Sequence, residues 1–467
     1  MSVGDRSVHP RADTVVMKFG GTSVADSDAM TRVVNIVRKQ WASQTKGSRP
    51  PVVVVSALSK VTDGLIRAAD LARNGDGEKS TALISELLQR HVTIARMLTT
   101  GQRCEELSNT LTAQFAELVE RVATMATARR VVPAEHDLVV ATGELASSRI
   151  VAAAFQEQDL PAVWVDARDI LVTDVEHTVA APIMDATCLR ATAVLAPILA
   201  RDTIPILGGF IAATKDGVTT TLGRGGSDYS AAIFGACLDV GEIQIWTDVD
   251  GMLTADPRVV SSPHVVPQLS FAEASELAYF GAKVLHPATI LPAVSKNIPV
   301  RILNSRQPAN PGTLITSDTR RDGHLAALAC KRDVTVIDIT STRMFMAHGF
   351  LRRLFEVFER FKTAVDVVTT SEVSVSVTVD DPRKLDDIVR ELNAFAEVAT
   401  EPNMAIVSVV GDRLHDDPGV FARAIAALDR IPLRLVSQAS SRRTFTFVLR
   451  DADVTGAMTR LHSAFFE

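Results

Sequence analysis

The sequence predicts a layered α/β domain followed by two smaller α+β modules of ferredoxin-like strand order. Short β-branched runs alternate with helix-length segments through the first half, a Pro/Gly-rich stretch interrupts the chain near residue 310, and one order of elements then occurs twice. Alternating strands and helices bury a sheet on both faces and leave ligands beyond the strand ends.

In chain order, Thr14 to Phe19, Val52 to Val55, Ala162 to Val165, Ile204 to Leu207 and Ile243 to Trp246 read as buried strands. Residues 63–130 carry no convincing strand and form a helical lobe, broken near Asn74-Gly75 and near Gly101. Residues 1–310 thus make the first domain, with the boundary in Asn304 to Gly323, where Gln307-Pro308-Ala309-Asn310-Pro311-Gly312 cannot continue a regular element.

Residues 325–400 form the first module. It holds a strand at Thr335 to Ile339, a helix at Phe350 to Phe361, a strand at Val365 to Val368, then Val373, Val375, Val377 and Val379 alternating with polar residues, and a helix from Asp381. Residues 401–467 repeat that order, and Val377 and Val379 align with Phe445 and Phe447, 68 residues further on. Such a pair of β-α-β-β-α units serves either as a small-molecule sensor or as a dimerisation platform, and the pattern alone does not choose.

The 467 residues at about 150 per domain agree with three units. Lys and Arg number 49 against 55 Asp and Glu, for a net charge of −6, with no long basic run, which disfavours nucleic acid as a partner. Met1 to Asp13 is polar and lacks a signal-peptide core, and no apolar run approaches the ~20 residues that cross a bilayer. A cytoplasmic protein is expected. Cys104, Cys188, Cys237 and Cys330 show neither CxxC nor CxH spacing, so all four are expected to be reduced packing residues.

Two glycine turns carry the chemistry. Lys18-Phe19-Gly20-Gly21-Thr22-Ser23 joins the first strand to a helix that Thr22 or Ser23 would cap, an arrangement that suits an anion with Lys18 beside it. It is not a Walker A loop, because the lysine precedes the glycines. The second turn, Gly223-Arg224-Gly225-Gly226-Ser227-Asp228, again opens a helix, with a guanidinium fork suited to carboxylate or phosphate. Asp228 either favours the helix dipole or serves the site. Trp246-Thr247-Asp248-Val249-Asp250-Gly251 and Asp256-Pro257-Arg258 follow a strand, where turns and nucleotide contacts both occur. Glu144, placed at a strand-to-helix transition, is either a first-turn acid or a grip for an ammonium group. His286 reads as a packed or capping histidine. No metal-ligand set is readable.

Together with Phe280-Gly281-Ala282-Lys283-Val284-Leu285-His286-Pro287, these motifs resemble the aspartokinase family over nearly the whole chain, and the tail Leu461 to Glu467 is similar to that of its monofunctional lysine-sensitive members. The resemblance implies an amino-acid-kinase-type layered sheet, tandem ACT modules, ATP and Mg2+ as cofactors, L-aspartate as acceptor and 4-phospho-L-aspartate as product. It implies Lys18, Phe19, Gly20, Gly21, Thr247, Asp248, Arg258, Lys283 and Val284 at the nucleotide, and Thr62, Glu144, Arg224, Gly225, Gly226 and Ser227 at aspartate, with Lys18 and Asp228 catalytic. Lysine, as feedback inhibitor, would meet Met344, Ala347, Gly349, Phe350, Leu351, Val365, Asp366, Ser371 and Glu372, with Asp366 and Glu372 as buried carboxylates. A homodimer through the ACT modules, extending to a tetramer, is implied as well. Another kinase of the same fold, or a non-catalytic amino-acid sensor, are the alternatives.

Overall fold

The computed structural model describes residues 12–43, 48–281, 287–319, 325–341, 348–438 and 442–467. They form two units, Met1–Gly251 with Leu285–Asp318, and Met252–Val284 with Thr319–Glu467.

In the first unit β1 (Ala12–Phe19) leads through a 3-10 turn into α1 (Ser27–Ser43), and β2 (Val52–Val55) leads into α2 (Val61–Arg73). The lobe continues with α3 (Gly77–Leu98) and α4 (Gly101–Ala128). Gly75, at φ +83°, turns the chain between α2 and α3, and the Asp76 side chain caps α3 by accepting from the Lys79 amide. Then come α5 (Pro133–Glu157), β3 (Ala162–Val165), β4 (Val172–Thr173), α6 (Met184–Leu199), β5 (Ile204–Gly208), β6 (Ile211–Thr214), β7 (Thr219–Thr221), α7 (Gly226–Leu238) and β8 (Val240–Thr247). Residues 252–284, with β9 (Gln268–Ser270) and α8 (Phe271–Tyr279), belong to the second unit. The first unit resumes with α9 (Leu291–Ser295), β10 (Val300–Asn304) and β11 (Thr313–Thr316).

The main sheet runs β3-β5-β2-β1-β8-β10-β11, parallel except for the last pair. The chain winds outward from β1 in both directions, so the crevice of an open α/β sheet lies at the carboxyl end of β1, where Lys18 and Gly20 sit. β2 is buried at every position, as a strand covered on both faces must be. A small sheet, β4-β6-β7, lies apart from it in strand pairing.

Two expectations give way here. Glu144 lies in the middle of α5, not at a strand-to-helix transition; residues 133–157 are a single helix, with Pro133 in its first turn and the Glu135 carboxylate accepting the Val132 amide at its N-terminus. On composition alone α5 is long and apolar enough to cross a membrane, but 89% of its apolar window is buried inside the unit, which makes it a core helix. Cys188 on α6 and Cys237 on α7 form a disulfide, with Cα atoms 4.6 Å apart, leaving Cys104 and Cys330 free. Packing of two helices brings together residues 49 apart in sequence, which spacing motifs do not report.

The second unit contains β12 (Leu325–Thr340), α10 (Phe350–Arg360), β13 (Val368–Thr370), β14 (Ser374–Val379), α11 (Leu385–Leu392), β15 (Glu397–Gly411), α12 (Pro418–Ala427), β16 (Leu435–Gln438), β17 (Thr444–Arg450) and α13 (Val454–Phe466). The two repeats share one sheet, β13-β14-β12-β15-β17-β16. The long antiparallel pair β12 and β15 serves both halves: Val334 to Thr340 pair with Glu397 to Met404, and Leu325 to Lys331 with Ile406 to Gly411. Each half keeps its own core. Ile337, Leu354, Val375 and Val377 fill one, and Val407, Phe445, Phe447 and Leu461 the other. Ala255 and Val260 join the second core, and the Leu328 amide donates to the Thr254 carbonyl.

Candidate active site

The first glycine turn forms where β1 meets β8. The Gly20 amide donates to the Trp246 carbonyl at 3.0 Å, and the Phe19 ring stacks on Trp246 in the core, with centroids 5.9 Å apart. Gly21 allows a close backbone crossing: the Ser59 amide donates to its carbonyl, and a Cβ there would lie 3.0 Å from the Ala57 oxygen. The cap differs from expectation. Asp26 receives the Ala29 amide at the start of α1, while the Ser23 hydroxyl is engaged with Ser305 and the Trp246 carbonyl.

The second turn bends through Gly223 at φ +74° and Gly225 at φ +72° into α7. Gly226 is tightly enclosed, for a Cβ would stand 2.7 Å from the Phe210 ring. Asp228, in the first turn of α7, faces back to β1 and pairs with the Lys18 ammonium at 2.6 Å. The two turns therefore share one cleft of about 820 Å3, lined by Lys18, Gly20 and Gly21 on one side and by Arg224, Gly225, Gly226 and Ser227 on the other. Thr62, Thr247 and Asp248 line it too.

Glu144 faces the same cleft and is buried. Its Oε2 has no hydrogen-bond partner. Burial pushes its carboxyl up to about 8, against the lowering effect of the Ala57 amide that donates to it. A carboxylate held in that state gains from an arriving cation. Arg224 is exposed at the cleft wall, with a fork suited to a carboxylate.

Residues 13–304 match the amino acid kinase family and residues 407–465 the ACT domain. Lysine-sensitive aspartokinase 3 of Escherichia coli is 35% identical over 98% of this chain and 100% of its own, and aspartokinase 1 of Arabidopsis thaliana is 35% identical over 98% and 81%. The crystal structure of E. coli aspartokinase III with aspartate and ADP superposes with a TM-score of 0.81 at 34% identity, covering 97% of this chain and 100% of that one. The same enzyme with lysine and aspartate gives a TM-score of 0.80 at 34% identity, with the same coverage.

The chain belongs to the aspartokinase family.

Some residues that the aspartokinase resemblance names lie elsewhere than the cleft lining. Phe19 is buried in the core, so its side chain is packing. Arg258 belongs to the second unit, where its guanidinium clasps Asp256 at 2.6 Å. Lys283, Val284 and His286 lie outside the described residues, as do Met344 and Ala347.

Motif reading also missed part of the lining: Ser56, Lys60, His136, Thr178 and Phe210. Lys60, Thr178 and Phe210 have positive φ, a conformation that only a glycine would have announced in the sequence.

Of the remaining effector positions, Gly349, at φ +84°, opens α10, with Phe350 and Leu351 in its first turn. Val365 and Asp366 precede β13, and Ser371 and Glu372 form the turn after it. Asp366 is buried, its side chain 1% exposed, and its Oδ1 receives the Lys331 ammonium at 2.8 Å and the Tyr279 hydroxyl at 2.7 Å. Its Oδ2 has no partner. Glu372, expected to be a second buried carboxylate, is exposed, because the hairpin turn lifts it away from the sheet.

Proposed function

We propose that this aspartokinase transfers the terminal phosphoryl group of MgATP to the β-carboxylate of L-aspartate, giving 4-phospho-L-aspartate. The observation that carries the reading is the single cleft between two glycine turns, with Lys18 and Asp228 paired across it. Phosphoryl transfer demands mainly positioning and cations on the migrating charge. The acceptor carboxylate, with a reference pKa of about 3.9, is already ionised at neutral pH, so no general base is needed.

In this reading Gly20, Gly21, Thr247 and Asp248 bound the nucleotide side, and Lys18 neutralises charge on the phosphoryl group while Asp228 orients the ammonium. Arg224 clamps the substrate α-carboxylate, Glu144 takes the ammonium, and Thr62 and Gly225 to Ser227 complete the acceptor side. Among the described residues no group of three or more His, Cys, Asp or Glu is placed to hold a metal ion by itself. That donor set fits a Mg2+ carried mainly by phosphates and water, with Asp248 as the carboxylate near at hand. The ion would neutralise phosphate charge.

E. coli aspartokinase III is solved with lysine, and Asp366 offers a buried carboxylate with one oxygen unpartnered, which supports lysine as feedback inhibitor at the first module. Inhibition then requires that lysine bind the less active state more tightly. ACT modules at 325–400 and 401–467, their pairing into a homodimer or a tetramer, and a cytoplasmic location complete the reading.

An aspartate hydroxamate assay run with and without lysine, threonine and methionine tests it, beside a panel of glutamate, carbamate and nucleoside monophosphates followed by ADP release. Turnover on another acceptor with none on aspartate would exclude the reading.

A further inference from the structure

The cleft leaves one buried charge unexplained. Asp137, one helical position beyond the cleft-lining His136, has a side chain 0% exposed. A carboxylate taken out of water is retained only where donors surround it. Its donors come from two remote segments: the Thr178 amide, at 3.1 Å and 3.0 Å from its two oxygens, the His177 ring Nδ1 at 2.7 Å, and the Thr221 hydroxyl at 2.6 Å.

Each of these contacts leads to the acceptor side of the cleft. Thr178 and Thr221 line it. Thr178 stands at φ +73°, a conformation that a β-branched residue adopts only when its surroundings impose it. Its carbonyl lies against Gly223, where a Cβ would meet it at 3.3 Å and would meet the Val179 side chain at 3.1 Å. The Ala180 amide then donates to the Thr221 carbonyl at 2.9 Å. The 174–181 segment is thereby pinned over the turn that carries Arg224.

We propose that Asp137 is a positioning residue for the acceptor amino acid: it fixes the 174–181 segment against β7 and so sets the place of the Gly223-Arg224 turn. It touches neither substrate. The inference rests on the reading of Arg224 as the acceptor clamp, and it assigns Asp137 an effect on the acceptor that the nucleotide does not share. A misplacement of about 1 Å is enough to cost up to ~100-fold in rate or binding.

The test measures KM for aspartate and for ATP separately, with kcat and melting temperature, in Asp137→Ala, Asp137→Asn and His177→Phe. Asp137→Ala is expected to raise the aspartate KM about tenfold or more while the ATP KM stays within about twofold. Asp137→Asn, whose amide oxygen still accepts from Thr178 and Thr221, is expected to restore most of that loss. Should Asp137→Ala not fold, His177→Phe removes one of the segment's holds and is expected to raise the aspartate KM by about threefold. An unchanged aspartate KM in the folded variants, or a parallel rise of both KM values, overturns the proposal. Wild-type protein inactive on aspartate overturns the acceptor reading itself.

Discussion

Lys18 Nζ and Asp228 Oδ1 lie 2.6 Å apart, one at the end of the central strand and the other in the first turn of α7. The side chains are only 10% and 14% exposed, so the ammonium is held at a defined point between the two glycine turns. Pairing from such different parts of the chain fixes a cation where phosphoryl charge would move.

Lys18→Ala is expected to lower kcat by about 100-fold or more, the range seen when one preorganised charge-stabilising donor is lost. Steady-state ADP release measures it, with circular dichroism to show that the fold survives. Near-normal turnover would remove Lys18 from the chemistry.

The buried Glu144 carboxyl, raised to about 8, gives a pH dependence. Binding an ammonium favours its ionised form, so aspartate binding weakens as pH falls below 8, by up to about tenfold in KM per pH unit. Glu144→Gln should raise the aspartate KM and flatten that slope between pH 6 and 8. Stability moves the other way. A carboxyl whose pKa is higher folded than unfolded opposes folding increasingly as pH rises from about 4.5 towards 8. Melting of the ligand-free protein should therefore show Glu144→Gln gaining more at pH 9 than at pH 5.

Arg224→Lys replaces a planar fork by a point charge. The expected result is a rise of about tenfold in aspartate KM, with the ATP KM little changed. Equal loss for both substrates would place the guanidinium on the nucleotide instead.

Gly209 has no room for a methyl group. A Cβ there would stand 2.8 Å from Ser227 Cα and 3.0 Å from Val54 Cγ1. Gly209→Ala should push the N-terminal turn of α7 outward, destabilise the protein by about 1–3 kcal/mol in urea melts and lower activity more than the stability loss explains. A variant of wild-type activity would mean that this helix end tolerates displacement.

At the regulatory unit, the Lys331 ammonium lies between Asp366 at 2.8 Å and Asp380 at 2.7 Å. If Asp366 receives the effector's ammonium, Lys331 competes for it. Lys331→Met should lower the lysine concentration needed for half-inhibition, and Asp366→Asn should raise it. Dose–response curves that coincide with wild type would move the effector site elsewhere.

Much of this was legible from residues alone. The β2 run Val52 to Val55 is buried at all four positions, because a strand covered on both faces must be apolar throughout. The helix breaks at Asn74-Gly75 and Gly101 fall where a positive φ needs glycine. The two glycine turns announced themselves because backbone crossings tolerate no side chain, as at Gly21 and Gly226. Other features left no local trace. The burial that lifts Glu144, the donors around Asp137 and the Cys188–Cys237 bond each depend on partners many residues away.

The sequence by itself determined the alternation of elements, the two glycine turns and the doubled module, since each follows from periodicity or backbone freedom within a short window. Only the tertiary structure decided that both turns open on one cleft, that β12 and β15 join the repeats in one sheet, and that Asp366 already holds an ammonium from its own chain. Those are matters of distance between remote segments, and distance is set by how apolar faces are buried together, which no single window of residues records.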